Sequence, residues 1–449
     1  MYFGHEKPLV NLVRYQVIEK ITSTASILLV NEAFSSKYSN YKNLISYKSS
    51  WTAKDKNTYY DYELCLNYFT KRNKSLNIFL INRFFGPYKI VNHKTFFNSL
   101  KYFYHSLTSI RFTIIKKAYG KDSEYLLSLL RNQKIIESND TQIFADVLSK
   151  NGIEKVVIFS TLSDPSIFDM VKACIINKIE VVIIPDCWDN ISTAYSIPKG
   201  ISKIYLWSDQ QIKEVEKFFS SLKLKSEKIG TYRINLEANR MILSERKKHF
   251  NKNDINILYI GGYFLENQYA NFEDVVNALK EFLKIYHCHI NLVIRNYPFK
   301  KQTIEHGGLK ELDYFDSIMN VDGVTFLKTK NLKLEEDLKT TNIIISELST
   351  ASLEAAFSCV STLFICSSRS PKRLDTKKSM RFTYANDLKK YFNVIDLDNG
   401  FSDLFLALSN AYEELNFLFL KNNAVEKTFK ELSFFAEPFD FNKWHEITT

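Results

Sequence analysis

Short apolar runs alternate with longer amphipathic segments from residue 155 onward, and this alternation constrains the fold more than any other feature of the chain. Each apolar run is four to eight residues long and continuous, without the polar residue at every second position that a half-exposed strand shows. Continuous apolar runs of this length are typical of parallel strands that helices cover on both faces. The pattern therefore predicts an α/β protein assembled from βαβ units.

The apolar runs form two groups, one before residue 222 and one after residue 253. In the first 150 residues we predict strands at 26–31 and 76–82, between polar and Tyr-rich sequence. The other predicted strands lie at residues 156–160, 181–185, 203–208, 255–262, 290–295, 324–327, 341–346, 361–366 and 394–397. Residues 222–253 are rich in Lys and Arg, carry little strand signal and separate the two groups.

A chain of 449 residues also exceeds what one hydrophobic core holds, because cores stop growing near about 250 to 300 residues. We therefore predict an N-terminal Rossmann-like domain at 1–240 and a C-terminal Rossmann-like domain at 250–400. Residues 401–449 are predicted to form a helical tail that packs back on the N-terminal domain.

Charge and cysteine content limit the cellular setting more than the function. The net charge of +10 could serve a nucleic acid, an anionic membrane surface or a phosphorylated substrate, but it is spread along the chain and so selects none of them, and solvated lysines explain it as well. The partners that we expect are a nucleotide sugar and a glycan, and not a nucleic acid. The six cysteines form no CxxC pair, which favours a reducing cytoplasm. No run reaches the ~18 uncharged apolar residues of a spanning helix. We expect a cytoplasmic protein, with any membrane contact made from the surface.

A polar turn follows the apolar strand predicted at 181–185. The carboxyl ends of parallel strands are where α/β sheets bind ligands, so we expect this turn to face a substrate. Asp and Asn also cap helices and form turns, which is the structural alternative. Its candidate binding and catalytic residues are Asp186, Trp188, Asp189, Asn190 and Ser192.

The sequence SELSTASLEAAF, at residues 346–357, places hydroxyl side chains where a strand passes into a helix. Ser349, Thr350 and Ser352 can donate to phosphate oxygens there, and the helix dipole favours negative charge at its N-terminus. Glu354, one turn into the helix, can accept hydrogen bonds from ribose hydroxyls. The same residues also fit an ordinary helix cap, and both interpretations can hold together.

Three further positions are candidates for the same nucleotide site. Gly261 and Gly262 follow the first strand of the second group and would let the backbone approach a diphosphate. Arg295, at the end of a strand, is suited to bidentate phosphate contact. The chain contains neither GxxxxGK[ST] nor GxGxxG, which argues against NTPases and dehydrogenases. It has no strand-end DxD, and the HxH at His287 and His289 lacks nearby acidic ligands, so we expect no metal.

These motifs resemble bacterial surface-carbohydrate glycosyltransferases of the GT-B fold, related to CDP-glycerol and CMP-sugar transferase-like families. In those families a strand ends in WDN, a Ser follows, and a Pro and a Trp-containing strand come next. A glycine-led turn, here residues 230–233, then opens the interdomain linker, and residues 346–357 are similar to the donor-binding turn. The matching positions are Trp188, Asp189, Asn190, Ser192, Pro198, Trp207 and Gln211.

The resemblance implies two Rossmann-like domains whose parallel sheets face a central cleft. It also implies transfer of a sugar from a nucleotide sugar to a glycan or lipid-linked glycan, such as capsule or O-antigen, at the inner face of the plasma membrane. No cofactor is expected beyond the nucleotide-sugar co-substrate. The chain departs from the family at Tyr297, which stands where those enzymes have a His before a Pro. This weakens the case for a cytidine nucleotide.

Glycosyl transfer requires a base for the acceptor hydroxyl and stabilisation of the leaving phosphate. The candidates for the base are Asp189, Asp186, Asp164 and Glu32, each after a predicted strand. Three alternatives remain: a CDP-glycerol-type polyol-phosphate transferase, a sugar-nucleotide 2-epimerase, and a non-catalytic binding protein on a degenerate GT-B fold.

Overall fold

The protein forms two compact units. A computed structural model describes residues 1–4, 6–23, 27–41, 43–52, 140–160, 162, 164–193, 197–261, 265–295, 320–329, 333–347, 349–368, 383–420 and 423–448. Unit 1 comprises the described residues within 1–233 and 433–448, and unit 2 those within 234–432. The strand predicted at 76–82 lies outside the described residues, as do Gly262 and Tyr297.

In the described residues each unit shows one sheet, and every strand pairing there is parallel. The sheet of unit 1 has the strand order β3-β2-β1-β4-β5-β6-β7, and that of unit 2 has the order β10-β9-β8-β11-β12-β13. The strands are β1 (Tyr2–Phe3), β2 (Leu28–Asn31), β3 (Leu44–Tyr47), β4 (Lys155–Ser160), β5 (Glu180–Pro185), β6 (Lys203–Leu206), β7 (Lys225–Lys228), β8 (Asp254–Ile260), β9 (His289–Arg295), β10 (Val324–Lys328), β11 (Ile343–Ser346), β12 (Ser361–Cys366) and β13 (Val394–Asp396).

Helices connect the strands, together with short 3₁₀ turns at Ser36–Tyr38, Ser220–Leu222 and Leu397–Asn399. The described helices are α1 (Glu6–Arg14), α2 (Ile18–Thr22), α3 (Glu32–Ser35), α4 (Asp140–Lys150), α5 (Ser166–Ile176), α6 (Asn190–Thr193), α7 (Asp209–Phe219), α8 (Leu236–His249), α9 (Leu265–Tyr286), α10 (Leu334–Leu338), α11 (Thr350–Phe357), α12 (Thr383–Leu388), α13 (Ser402–Leu420), α14 (Ala424–Leu432) and α15 (Phe441–Thr448). None of them is long and apolar enough to cross a bilayer.

The inner strands β4 and β5 of unit 1 are buried on both faces, as their continuous apolar sequences predict. Ile158 and Ile183 belong to the core on one side of the sheet, and Phe159 and Ile184 belong to the core on the other side. The sheet of unit 2 also has a core on each face. Ile257 of β8 belongs to one of these cores and Leu258 to the other. The predicted α/β class with two parallel sheets is confirmed.

The segment predicted as a tail at 401–449 is divided between the two units. Leu404, Leu408 and Leu415 of α13 are buried in the core of unit 2, so this helix belongs to that unit. The chain enters unit 1 again at residue 433, and Trp444 of α15 packs beside Phe159, with ring centroids 5.9 Å apart. The apolar face of each helix therefore decides which core it joins.

Gly230 marks the turn where the chain leaves β7, and its backbone requires a glycine. Its φ is +80°, and a Cβ there would lie 2.1 Å from the carbonyl oxygen of Pro438. The adjacent Thr231 N–H donates to the carbonyl of Glu437 at 2.7 Å, so the two segments cannot separate without losing this pairing. The C-terminal segment is thereby fixed against the end of β7.

We expect Gly230→Ala to lower the free energy of unfolding by about 1 to 3 kcal/mol beyond the strain of a positive φ, because the methyl group overlaps a backbone oxygen. Gly152→Ala is the matched control: its φ is +59°, and no described heavy atom lies within 4 Å of its Cβ position. Urea unfolding of both variants measures the difference. Equal destabilisation by the two substitutions would contradict the packing argument.

Candidate functional site

The turn after β5, here called the WDN turn (residues 186–192), is anchored by the fully buried carboxylate of Asp186. Asn11 Nδ2 on α1 donates to its two oxygens at 3.1 and 3.0 Å, and the hydroxyl of Tyr232 donates at 2.5 Å. Arg233 Nη2 lies 3.4 Å from Oδ2. Burial first, and then the charge of Asp186, raise the pKa of Tyr232 well above its usual value, so the phenol remains a donor. Asp186 thus joins α1 to the segment after β7.

Arg233 is itself buried, with only 7% of its side chain exposed. Its guanidinium lies 5.9 Å from the ring centroid of Tyr15 and 5.8 Å from that of Trp207, within cation–π range. The indole of Trp207 donates to the carbonyl of Pro185 at 2.9 Å, which fixes the ring against the end of β5. Trp207, the residue after β6, is thereby held against the strand that precedes the WDN turn.

The residues predicted to bind substrate in this turn are engaged inside unit 1. Trp188 is 2% exposed and packs edge-on against Phe435. Asn190 Oδ1 accepts from the N–H of Cys187 at 2.7 Å, and the hydroxyl of Ser192 donates to Glu214 at 2.6 Å. Gln211 Nε2 donates to the carbonyls of Cys187 and Trp188 at 3.0 and 3.1 Å. These contacts give Trp188, Asn190 and Ser192 a role in shaping the turn.

Asp189 differs from its neighbours because its side chain is only partly buried. Asp189 is one of the groups that affect the pKa of Lys7, in the first turn of α1. Burial lowers the pKa of Lys7, but the negative groups of Cys187, Asp186 and Asp189 together outweigh that effect and raise it. A cation on α1 therefore lies within electrostatic range of the WDN turn.

The other two acidic candidates lie at the same edge of the sheet, which is where the parallel strands end. Asp164, after β4, is 5% exposed, and its Oδ1 accepts from the N–H and hydroxyl of Ser166 at 3.0 and 2.8 Å. Tyr2 donates to the same hydroxyl at 2.7 Å. Glu32, after β2, is exposed in the first turn of α3. The sheet brings four acidic candidates to one edge, and only Asp189 and Glu32 reach solvent appreciably.

In unit 2 the corresponding edge carries the serine turn, defined here as residues 346–352, with Leu348 outside the described residues. Ser349 caps α11, because its Oγ accepts from the N–H of Ser352 at 3.2 Å. Ser352 is buried, and its hydroxyl contacts those of Ser346 and Ser349. Ser349 and Thr350 remain partly exposed, as does Glu354 one turn further on. The turn is a capped helix N-terminus with two hydroxyls near solvent.

The pairing of the strands brings Gly261 and Arg295 to the same edge. Ile260, at the end of β8, is paired with Arg295 on β9 and with Ser346 on β11, and Gly261 is the next residue. The guanidinium of Arg295 forms an ion pair with the carboxylate of Asp337 on α10, which also accepts from Thr329. Arg295 was predicted as a phosphate contact, and in the structure its charge is already matched by Asp337.

Glu347 also lies at this edge of the sheet, although it is not among the residues predicted from the sequence to form the site. It follows β11 directly and is 3% exposed, and Asn271 Nδ2 on α9 donates to its Oε1 at 2.8 Å. Ser367, after β12, donates to Asn271 Oδ1 at 2.7 Å. Burial raises the pKa of Glu347 to about 7, against the opposing effect of the Asn271 hydrogen bond. An acidic residue directly after a buried strand and before a capped helix is the signal that could have indicated it.

The HxH motif adds no metal ligands in the structure. His289 Nε2 lies 2.9 Å from the hydroxyl of Thr325, and His287 sits at a helix end with a φ of +46°. Among the described residues no group of three or more His, Cys, Asp or Glu side chains is placed to hold a metal ion.

No protein-family model matches the sequence, and no curated protein matches it. Several solved structures are similar. Acinetobacter baumannii MurG is 13% identical over 71% of this chain and 79% of its own, with a TM-score of 0.44. A Rickettsia africae glycosyltransferase is 10% identical over 97% and 93%, also at 0.44. UDP-GlcNAc 2-epimerase of Methanocaldococcus jannaschii, in complex with UDP-GlcNAc and UDP, is 13% identical over 68% and 81%, at 0.37. Because all three scores are below 0.5, the fold class rests on the strand order and parallel pairing of the two sheets.

Proposed function

We propose that the protein is a GT-B glycosyltransferase that binds a nucleotide sugar at the serine turn of unit 2 and activates the acceptor with Asp189 of unit 1. The observation that carries the proposal is the N-terminus of α11. There a capped helix follows a buried strand and leaves Ser349 and Thr350 accessible at the carboxyl edge of a parallel sheet.

The leaving nucleotide gains negative charge as the glycosidic bond breaks, and in the metal-independent transfer that we propose this charge is stabilised by donors of the protein. A helix N-terminus presents unpaired backbone N–H groups and the positive end of the helix dipole, equivalent to about half an elementary charge. The hydroxyl of Thr350 adds a donor in the same place. Such fixed donors stabilise developing charge efficiently because they need no reorganisation during the reaction.

The acceptor hydroxyl must lose its proton as it attacks the anomeric carbon. Asp189 is suited to accept it, since its carboxylate is partly exposed and lies within electrostatic range of Lys7, whereas the oxygens of Asp186 and Asp164 accept buried hydrogen bonds. Asp186, Trp188, Asn190 and Ser192 then serve to hold the WDN turn in shape. We propose that Asp189 is the general base.

The acceptor that we propose is a growing surface glycan, such as capsule or O-antigen, carried on a lipid at the cytoplasmic face of the membrane. This part of the proposal is supported by the resemblance of the WDN turn. Arg295 already forms an ion pair with Asp337, and a bound phosphate would have to share its guanidinium with that carboxylate. In this proposal the backbone of α11 is therefore the main phosphate contact.

The test of donor binding is calorimetric titration with UDP, CMP, CDP and GDP, followed by the double variant Ser349→Ala with Thr350→Ala. We expect the variant to bind its nucleotide about 10- to 100-fold more weakly, because hydrogen bonds to charged groups are lost. Ser358→Ala is the matched control, since it removes a hydroxyl from the opposite end of the same helix, where Ser358 donates to Asn239.

Unchanged affinity in the double variant would show that the nucleotide binds elsewhere. Absence of binding by all four nucleotides at millimolar concentration would contradict the enzyme proposal. Binding without hydrolysis or transfer of any sugar nucleotide would favour the non-catalytic alternative, and isomerisation at C2 of the bound sugar would favour the epimerase.

A further inference from the structure

The carboxyl group of Glu347 is buried, and the described residues supply no counter-charge to it. Its single side-chain donor in the described residues is the amide of Asn271, and no Lys, Arg or His in that part of the chain forms an ion pair with it. One neutral hydrogen bond does not replace the hydration that a carboxylate loses on burial. The site therefore favours the protonated acid more than an exposed glutamate would.

We propose that Glu347 takes up a proton when a sugar nucleotide binds at the serine turn. This inference rests on the proposed function, because it requires the diphosphate at the N-terminus of α11. The step is a simple protonation, in which solvent buffer gives a proton to the carboxylate and the neutral acid forms. Oε1 accepts from Asn271, which leaves Oε2 for the proton.

The carboxyl group is attached to the same turn that would hold the phosphates. The main-chain carbonyl of Glu347 accepts from the hydroxyls of Ser346 and Ser352 at 2.6 and 3.4 Å. Ser352 in turn lies 2.7 Å from the hydroxyl of Ser349, the cap of α11. Glu347 is two residues from that cap, so a bound diphosphate would place negative charge near its carboxyl group.

A nearby like charge raises the pKa of a carboxyl group. Since burial already brings the pKa of Glu347 to about 7, the free protein is partly ionised near neutral pH, and a further rise converts ionised molecules to protonated ones. The burial effect comes first and the Asn271 bond opposes it. The titratable side chains on the surrounding elements are Tyr259 on β8, Glu273 and Asp274 on α9, Glu354 on α11, Cys366 on β12 and Asp398 beyond β13.

The sign of the pH dependence follows directly. Protonated Glu347 tolerates the diphosphate better than ionised Glu347, so affinity is highest below pH 7 and falls as the pH rises through the pKa of the free protein. It levels off again above the pKa of the complex.

The experiment is calorimetric titration at pH 7.5 in phosphate, HEPES and Tris, which differ in ionisation enthalpy. The probes are UDP-glucose, GDP-mannose and CDP-glycerol, since a diphosphate diester has no protonation step of its own near neutral pH. For the probe that binds, we expect uptake of about 0.5 proton per nucleotide by the wild-type protein. Glu347→Gln, a neutral isostere that still accepts from Asn271, should take up close to none and show an affinity independent of pH.

Glu273→Gln is the matched control, because it makes the same change at an exposed position of α9 and should behave as the wild type. If Glu347→Gln folds poorly, ¹³C NMR of Glu-labelled wild-type protein gives the answer without a variant, through a carboxyl signal that moves toward the protonated shift on binding. Nucleotide binding without proton uptake, or uptake that persists in Glu347→Gln, would overturn the inference and leave the proposed function intact. Failure of all three probes to bind would overturn both.

Discussion

Asp189→Asn should lower the turnover of glycosyl transfer by about 10²- to 10⁴-fold while the affinity for the nucleotide stays unchanged. This range is what a positioned general base contributes to proton transfer. Asn keeps the shape and hydrogen-bonding capacity of the side chain but cannot accept a proton at neutral pH. Because Asp189 is partly exposed beside buried neighbours, the substitution should not disturb the packing of the WDN turn.

The measurement is release of nucleotide from the sugar-nucleotide donor with and without acceptor, alongside calorimetric affinity. Glu32→Gln is the matched control, since Glu32 is the other acidic candidate at this edge that solvent reaches freely. Loss of turnover in Glu32→Gln with normal turnover in Asp189→Asn would transfer the role of base to Glu32. A third variant, Asp186→Asn, should act on stability instead, because it removes the negative charge beside the buried Arg233.

The architecture could be predicted from the sequence where local pattern decides structure. Continuous apolar runs such as residues 156–160 and 343–346 specify strands that are covered on both faces, and the structure confirms two parallel sheets. One inner strand of the first sheet, β1, has only two residues and so gives no periodic signal. Its place between β2 and β4 depends on pairing with strands far along the chain.

The roles of the site residues could not be predicted to the same depth. Asp186 and Asp189 lie three residues apart and look equivalent in sequence. They differ because Asp186 faces Asn11, 175 residues away, and Tyr232, 46 residues away, while Asp189 does not share those partners. Contacts of this separation are set by the tertiary fold and not by the local pattern.

Arg295 and Glu347 are two further residues whose electrostatic surroundings the local sequence does not show. An arginine at the end of a strand indicates a phosphate ligand in the sequence. In the structure Arg295 forms an ion pair with Asp337, which lies 42 residues further on. Glu347 reads as an unremarkable turn residue, yet the amide of Asn271, 76 residues earlier, completes a buried site around it. In both cases the partner decides the electrostatics, and the sequence does not show the partner.

Arg246, in α8, should be among the most important side chains for the stability of unit 2. It is 1% exposed, and its guanidinium donates to main-chain carbonyls of Thr341 at 2.7 Å and of Ser358 and Cys359 at 3.2 and 2.9 Å. The last two carbonyls lie at the C-terminal end of α11, where the helix dipole is negative. Burial lowers the pKa of Arg246 to about 10, so it still carries its charge at neutral pH.

We expect Arg246→Met to lower the free energy of unfolding by about 3 to 5 kcal/mol, because it leaves several buried carbonyls without donors. Arg240→Met on the same helix is the control: Arg240 is 43% exposed and pairs with Glu237 and Glu426, and exposed ion pairs of this kind contribute little to stability. Urea unfolding followed by circular dichroism gives the energies, and hydrogen exchange of the β11 and β12 amides shows where protection is lost. If both variants lose stability equally, the carbonyl contacts of Arg246 do not contribute as proposed, and the end of α11 must be held by its apolar packing alone.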